Sequence, residues 1–146
     1  MTRDAETATA HVRRLTALTD RLSDRLESET LAFIERRPHD VTAGLGETQD
    51  LANHYRRESA QLKSNPAVLA AAPASERIML IRATERFETV LARHARAVEA
   101  ARVISEGLVQ AIAGEVATAR AMGTGYCAAG RASDGDGRAI TLNRQA

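Results

Sequence analysis

The side chains with the clearest capacity for metal chemistry lie at four-residue intervals near the middle of the chain. Asp50, His54 and Glu58 would stack on one face if this stretch is helical, and all three side-chain types can bind zinc. Charged residues recur at such intervals on any solvated helix face, however, and the Glu-x-x-His pairs of di-iron bundles are absent. We therefore predict a solvated face here and no metal site.

Other residues with chemical potential lack the partners that catalysis requires. Cys127 is the only cysteine, with no predicted helix N-terminus or basic cluster to activate its thiol. His94 falls on a predicted helix seam without a Ser or Cys partner, so we expect a neutral, hydrogen-bonded histidine. Residues 134–137 (Asp-Gly-Asp-Gly) begin like a calcium loop but lack the later Glu and the flanking helices. We expect no enzyme, no metal and no cofactor.

The composition narrows the classes of partner. A formal net charge of +1, with acidic and basic residues interspersed, gives no large field to attract nucleic acid. No apolar run is long enough to cross a bilayer, and the first residues lack the hydrophobic segment of a secretion signal. A single cysteine fits a reducing compartment. We expect a cytoplasmic protein without membrane insertion.

Helical spacing and three prolines divide the chain into helices. No stretch alternates with period two, so no sheet is predicted. The first helix runs from about residue 5 to 36, the second from 41 to 64, and the third from 75 to 120, with one short turn at 67–72. The first and second helices carry apolar or small stripes at Val12, Leu15, Leu18, Leu22, Leu26 and Phe33, and at Val41, Leu45, Thr48, Ala52, Tyr55, Ser59 and Leu62.

These elements predict an all-α fold, an antiparallel helical bundle or coiled coil of two shorter helices and one long C-terminal helix. Hydrophobic residues make up 44% of the chain but aromatic residues only 3%, which favours thin helical packing over a thick core. Five glycines follow Met122, so we predict a bundle domain of residues 1–122 and a flexible tail of residues 123–146.

The third helix is predicted to extend beyond the other two. With roughly 24 residues in the second helix and roughly 46 in the third, about twenty residues near 102–122 lack the second helix as a neighbour. Exposed apolar stripes usually mark an interaction site. A partner site, a homo-oligomer seam, and cover by the tail or the first helix remain open. The candidate partner-binding residues are Ile104, Gly107, Leu108, Ala111, Ile112, Gly114, Glu115 and Val116.

A set of scattered positions forms a pattern along the second and third helices and the tail: Leu45, Leu51, Tyr55, Leu62, Asn65-Pro66, Leu69, Arg102-Val103-Ile104-Ser105, Leu108, Gly125-Tyr126 and Leu142-Asn143-Arg144. This pattern resembles the FlgN-type flagellar export chaperones, in particular short forms with a C-terminal Gly-Tyr and a tail near Leu-Asn-Arg. The chain departs from the pattern at Thr48, where a Lys is expected, and at Gln145-Ala146.

The resemblance implies a cytoplasmic chaperone of the flagellar type III export pathway. Its clients would be hook–filament junction proteins, whose disordered ends form amphipathic helices, and the client would bind toward the end of the third helix. The interaction would be of the helix-in-groove kind. The alternative is a self-associating coiled-coil protein with a structural or regulatory role in flagellar assembly. Contact with the export apparatus and homo-oligomerisation remain open.

Overall fold

Four helices make up the part of the chain that the structure describes. The computed structural model describes the backbone of residues 2–144 and the side chains of residues 2–123. Helix α1 spans Thr2–Ile34, α2 spans Pro38–Ser64, α3 spans Pro66–Ala71 and α4 spans Ala74–Arg144. No strand occurs between residues 2 and 144. The prediction of an all-α fold with a long C-terminal helix is confirmed.

Proline sets the start of each later helix. Pro38 and Pro66 occupy the first turns of α2 and α3, and Pro73 precedes α4. Proline is favoured there because the first amides of a helix have no intrahelical acceptor and the fixed φ is already helical. Between α1 and α2 the chain turns through Arg36, which has a φ of 58°. The connection is therefore short, as the sequence predicts.

The chain forms two compact units, residues 1–101 and residues 102–146. In the first unit, α1 packs against both α2 and α4. Its N-terminal half contributes to a cluster of buried residues that also takes in the end of α2 and the start of α4: Ala8, Val12, Leu15, Leu62, Ala72 and Leu80. A second cluster joins the C-terminal half of α1 to α4 through Leu22, Leu26 and Val90. Helix α1 is thus antiparallel to α2 and parallel to this part of α4.

Helix α1 also buries hydroxyl groups along its contact surface. The side chains of Thr19 and Ser23 are fully buried, each with a relative exposure of 0%. Their hydroxyls donate to the carbonyl oxygens of Leu15 and Thr19, at 2.7 and 2.9 Å. These bonds satisfy the buried polar groups within the helix itself, which removes most of the penalty for burying them.

Buried Glu29 of α1 connects all three long helices of the first unit. Its carboxylate accepts a hydrogen bond from the Thr48 hydroxyl of α2. Its other oxygen lies 3.1 Å from Nε2 of His94 in α4, and the ring of His94 meets the ring of Phe33 edge-on at 6.2 Å. His94 therefore lies on the helix seam with a hydrogen-bond partner, as the sequence predicts.

Arg86 of α4 lies among three carboxylates of α1. Its guanidinium nitrogens are 3.7 Å from Asp20, 2.7 Å from Asp24 and 3.0 Å from Glu27. The hydrogen bond to Asp24 is the largest cause of the raised pKa of Arg86, and desolvation opposes it. Because the group is solvated, the pairs contribute little to stability and mainly favour one register of α1 along α4.

Helix α4 ends later than the sequence predicts, at Arg144 rather than near Arg120. Each interior glycine weakens a helix by ~1 kcal/mol relative to alanine, which discourages a helix without forbidding it. No proline follows Pro73 to force an end. The predicted division into a domain of residues 1–122 and a flexible tail of residues 123–146 stays a prediction, because the side chains of residues 124–146 lie outside the described part.

No helix within residues 2–144 is long and apolar enough to cross a membrane.

Gly44 and Gly46 of α2 offer a matched test of how α2 packs on α1. A Cβ at Gly44 would lie 1.8 Å from Nη2 of Arg25, which donates to the Gly44 carbonyl at 2.8 Å, whereas a Cβ at Gly46 meets nothing within 4 Å. We expect Gly46→Ala to raise the free energy of unfolding by about 0.5–1 kcal/mol, because alanine loses less backbone entropy. Gly44→Ala should lower it, because Arg25 must give up its hydrogen bond. Urea unfolding measures both, and equal gains would contradict this packing.

Candidate partner-binding face on α4

The second unit exposes a run of large apolar side chains on α4. Ile104 and Leu108 are each 61% exposed, Ile112 is 52% exposed and Val116 is 45% exposed. We call these four residues the apolar face. All side chains from residue 102 to residue 123 are exposed in the described structure.

The spacing of the apolar face follows from the helical repeat. At about 100° per residue, side chains four positions apart lie on one slowly turning stripe. In the first unit, the buried residues Leu80, Ala83 and Val90 of α4 fall on a series of positions that alternate in steps of three and four residues. The same series, continued along the sequence, includes Ile104 and Leu108. Apolar side chains at this spacing are therefore buried in the first unit and exposed in the second.

A strip of small residues runs beside the apolar face. A Cβ added at Gly107 or Gly114 would meet no atom within 4 Å, so neither glycine is needed for packing within the described chain. Ala111 lies between them at helical spacing and is likewise exposed. Small side chains allow the backbone of a second helix to approach closely, so this strip widens the surface available to a partner.

Charged residues mostly lie on the other side of this part of α4. Arg102 and Glu106 form an ion pair one turn apart, with Nη1 and Oε1 separated by 2.8 Å. On a projection with about 100° per residue, Arg102, Glu106 and Arg120 lie at least about 120° from Leu108. Glu115 differs, because it projects about 20° from Leu108. It is the one acidic residue within the apolar side of residues 103–122.

All eight residues predicted to bind a partner are exposed on this one helix segment. Their role in binding stays a prediction. Three further large apolar side chains of this segment are exposed and were not among the predicted residues: Val103 (56% exposed), Val109 (65%) and Met122 (71%). A projection at about 100° per residue places Met122 about 40° and Val109 about 100° from Leu108, so these two border the apolar face, whereas Val103 projects about 140° away.

The candidate metal ligands on α2 do not converge. The carboxylate of Glu58 is directed toward α1, where one oxygen lies 3.3 Å from Nε2 of His11, and its side chain is only 14% exposed. His54 is 3.7 Å from the other oxygen, and Asp50 is exposed. The prediction of a solvated face is thus wrong for Glu58.

No group of three metal-binding side chains occurs among the described residues. The side chains of Cys127 and residues 134–137 lie outside the described part.

A second apolar surface, which the sequence analysis did not single out, lies in the first unit between α3 and α4. This groove has a volume of about 460 Å³, and its lining includes Leu69, Arg77, Ile78 and Ile81. Ile78 and Ile81 are 49% and 56% exposed. The groove is separate from the residues predicted for binding.

Fold and surface together define an all-α bundle protein with an exposed apolar face on its long helix. In sequence, the chain is 46% identical over 142 residues to the flagellar basal-body protein FlbY of Caulobacter vibrioides, and the alignment covers 95% of each chain. The chain belongs to the FlbY family. Its predicted flagellar association is confirmed, whereas the FlgN-type assignment is not confirmed, since no family model matches the chain. No solved structure matches it either.

Proposed function

We propose that the chain acts in flagellar biogenesis as a cytoplasmic export chaperone. It binds the amphipathic terminal helix of a hook–filament junction protein along the apolar face of α4 and keeps that helix covered before secretion. The observation that carries the proposal is the exposure of Ile104, Leu108, Ile112 and Val116 in a chain of a flagellar family.

The energetics of this surface suit a complex that must later release its client. Covering the apolar face contributes about 25 cal/mol per Å² of apolar area removed from water. Ordering a disordered client segment offsets part of that gain, typically by 2–5 kcal/mol or more. A moderate affinity follows, and release at the export gate then needs no large input of free energy.

The proposed role is non-catalytic. The apolar face is aliphatic and the strip beside it is glycine and alanine, with a few polar side chains such as Ser105 and Glu115 projecting nearby. Such a surface supplies apolar burial and one carboxylate, and it lacks the nucleophile–base pair that acyl or phosphoryl transfer would require.

A self-associating structural or regulatory role in flagellar assembly is the second candidate. The strip formed by Gly107, Ala111 and Gly114 favours it, because small residues allow two copies of a helix to approach closely. The relative's description as a basal-body protein also fits a component that stays with the assembly.

Sizing with and without a defined client separates these roles. The purified chain is analysed by size-exclusion chromatography with light scattering at micromolar concentration, alone and with the C-terminal fragments of the junction proteins from the same genome. The proposal expects a monomer that becomes a one-to-one complex. N-terminal fragments of the same proteins are the matched control. A stable dimer that ignores every C-terminal fragment would support the second candidate instead.

A further inference from the structure

Glu115 lies where a docked helix would remove it from water. It projects about 20° from Leu108 and about 60° from Ile112, so a helix that covers those two side chains also covers this carboxylate. The other charged residues between 102 and 122 are Arg102, Glu106 and Arg120, which project about 140° to 180° from Glu115.

Within the part of α4 whose side chains are described, no neighbouring residue neutralises Glu115. The residues three and four positions away are Ala111, Ile112, Thr118 and Ala119, and none is basic. The Thr118 hydroxyl donates instead to the Gly114 carbonyl at 2.9 Å. Among the described residues, Glu115 has no hydrogen bond or ion pair, in contrast to Glu106, which pairs with Arg102 at 2.8 Å. In the free chain water solvates this carboxylate.

A buried carboxylate without a partner is strongly unfavourable, whereas one that meets a cation in good geometry is tolerated and fixes a single alignment. We infer that the apolar face selects a partner helix that carries a lysine or arginine within its own apolar stripe, opposite Glu115. This inference rests on the proposed function and adds the chemistry of the client. Glu115 then sets the register of the docked helix, as a polar residue does at one core position of a coiled coil.

The same reasoning disfavours a second copy of the chain as the occupant. Because Arg102 and Arg120 project about 140° from Glu115, pairing two copies through Ile104, Leu108 and Ile112 buries two glutamates and places no cation opposite either. When Glu115 of one copy lies opposite Glu115 of the other, like charges oppose directly. The occupant is therefore a helix of different sequence.

Two synthetic peptides of about 18 residues test the inference. They share one apolar stripe at helical spacing and differ only at the central stripe position, which is Lys in one and Glu in the other. Their dissociation constants for the full chain are measured by fluorescence anisotropy. We expect the wild-type chain to prefer the Lys peptide by about tenfold or more, a ratio that salt reduces. Glu115→Lys should reverse the preference, and Glu115→Gln should bring the ratio close to one.

Glu106→Lys is the matched control, because it makes the same charge change on the far side of the helix and should leave the preference unchanged. Equal binding of both peptides by the wild type and by Glu115→Lys overturns the inference while leaving the face as a binding surface. Failure of both peptides to bind, or binding that Leu108→Glu does not weaken, overturns the proposed docking surface and the inference with it. A wild-type dimer that Glu115→Gln tightens would identify a second copy as the occupant, which would overturn the inference and favour the self-associating role over client binding.

Discussion

We expect Leu108→Glu and Ile112→Glu each to weaken the proposed capture of a junction-protein C-terminal fragment by about 100-fold or more. Both side chains are more than half exposed in the free chain, so the new carboxylate stays hydrated and the fold is retained. In the complex the carboxylate would be buried against the apolar stripe of the client, which makes binding unfavourable. Anisotropy of a labelled fragment measures the loss, and far-ultraviolet circular dichroism verifies that helicity is unchanged.

Gln110→Glu is the matched control for these two variants. It introduces the same side chain two residues from Leu108, on a position that projects about 160° away. We expect a change in affinity of no more than about twofold to threefold, since surface substitutions away from a contact have small effects. Capture that survives both Leu108→Glu and Ile112→Glu would place the binding site elsewhere, and the groove lined by Ile78 and Ile81 would be the next surface to test.

Leu22→Ala has the largest expected effect on stability. Leu22 is 3% exposed and packs with Leu26 and Val90 in the cluster that joins α1 to α4. Truncation of a buried leucine removes transfer free energy and leaves a cavity, at a cost of about 2–5 kcal/mol. For a unit of this size, that loss lowers the midpoint of thermal unfolding by roughly 10 °C or more. Thermal and urea unfolding followed by circular dichroism measure it.

Leu31→Ala makes the same substitution on the same helix at a side chain that is 51% exposed. The expected loss there is below about 1 kcal/mol, because little apolar contact is removed. Both variants change helix propensity by the same amount. The difference between their losses in the free energy of unfolding therefore measures the contribution of burying Leu22. Equal losses would contradict the docking of α1 through its Leu22 side.

The helices and the core positions of α1 could be predicted because their signals are local. Prolines mark the starts of α2 and α3, and the buried residues Val12, Leu15 and Leu22 recur at helical spacing. The exposure of the apolar face could also be anticipated, because it follows from helix lengths alone. Local spacing shows that a helix has an apolar stripe, and the lengths show how much of that stripe its neighbours can cover.

Features that depend on distant residues could not be predicted in this way. Glu58 is half-buried because His11, far away in the sequence, meets it across α1 and α2. Leu45 was expected on the α2 seam, yet it is 45% exposed. The end of α4 was misjudged for a different reason. Glycine penalties are small and additive, so a run of glycines does not specify an end as a proline does.

The buried hydroxyls of α1 bear on where a partner helix could bind this protein. Thr19 and Ser23 occupy places where bulkier residues would hold neighbouring helices farther apart. Within the described part of the chain, their hydroxyls donate to acceptors in α1 itself. Sliding a new helix between α1 and its neighbours would require enlarging a space already filled by small groups. We therefore expect a partner helix to bind at least cost on the outer surface of the bundle, so that its binding and release leave the folded interior unchanged.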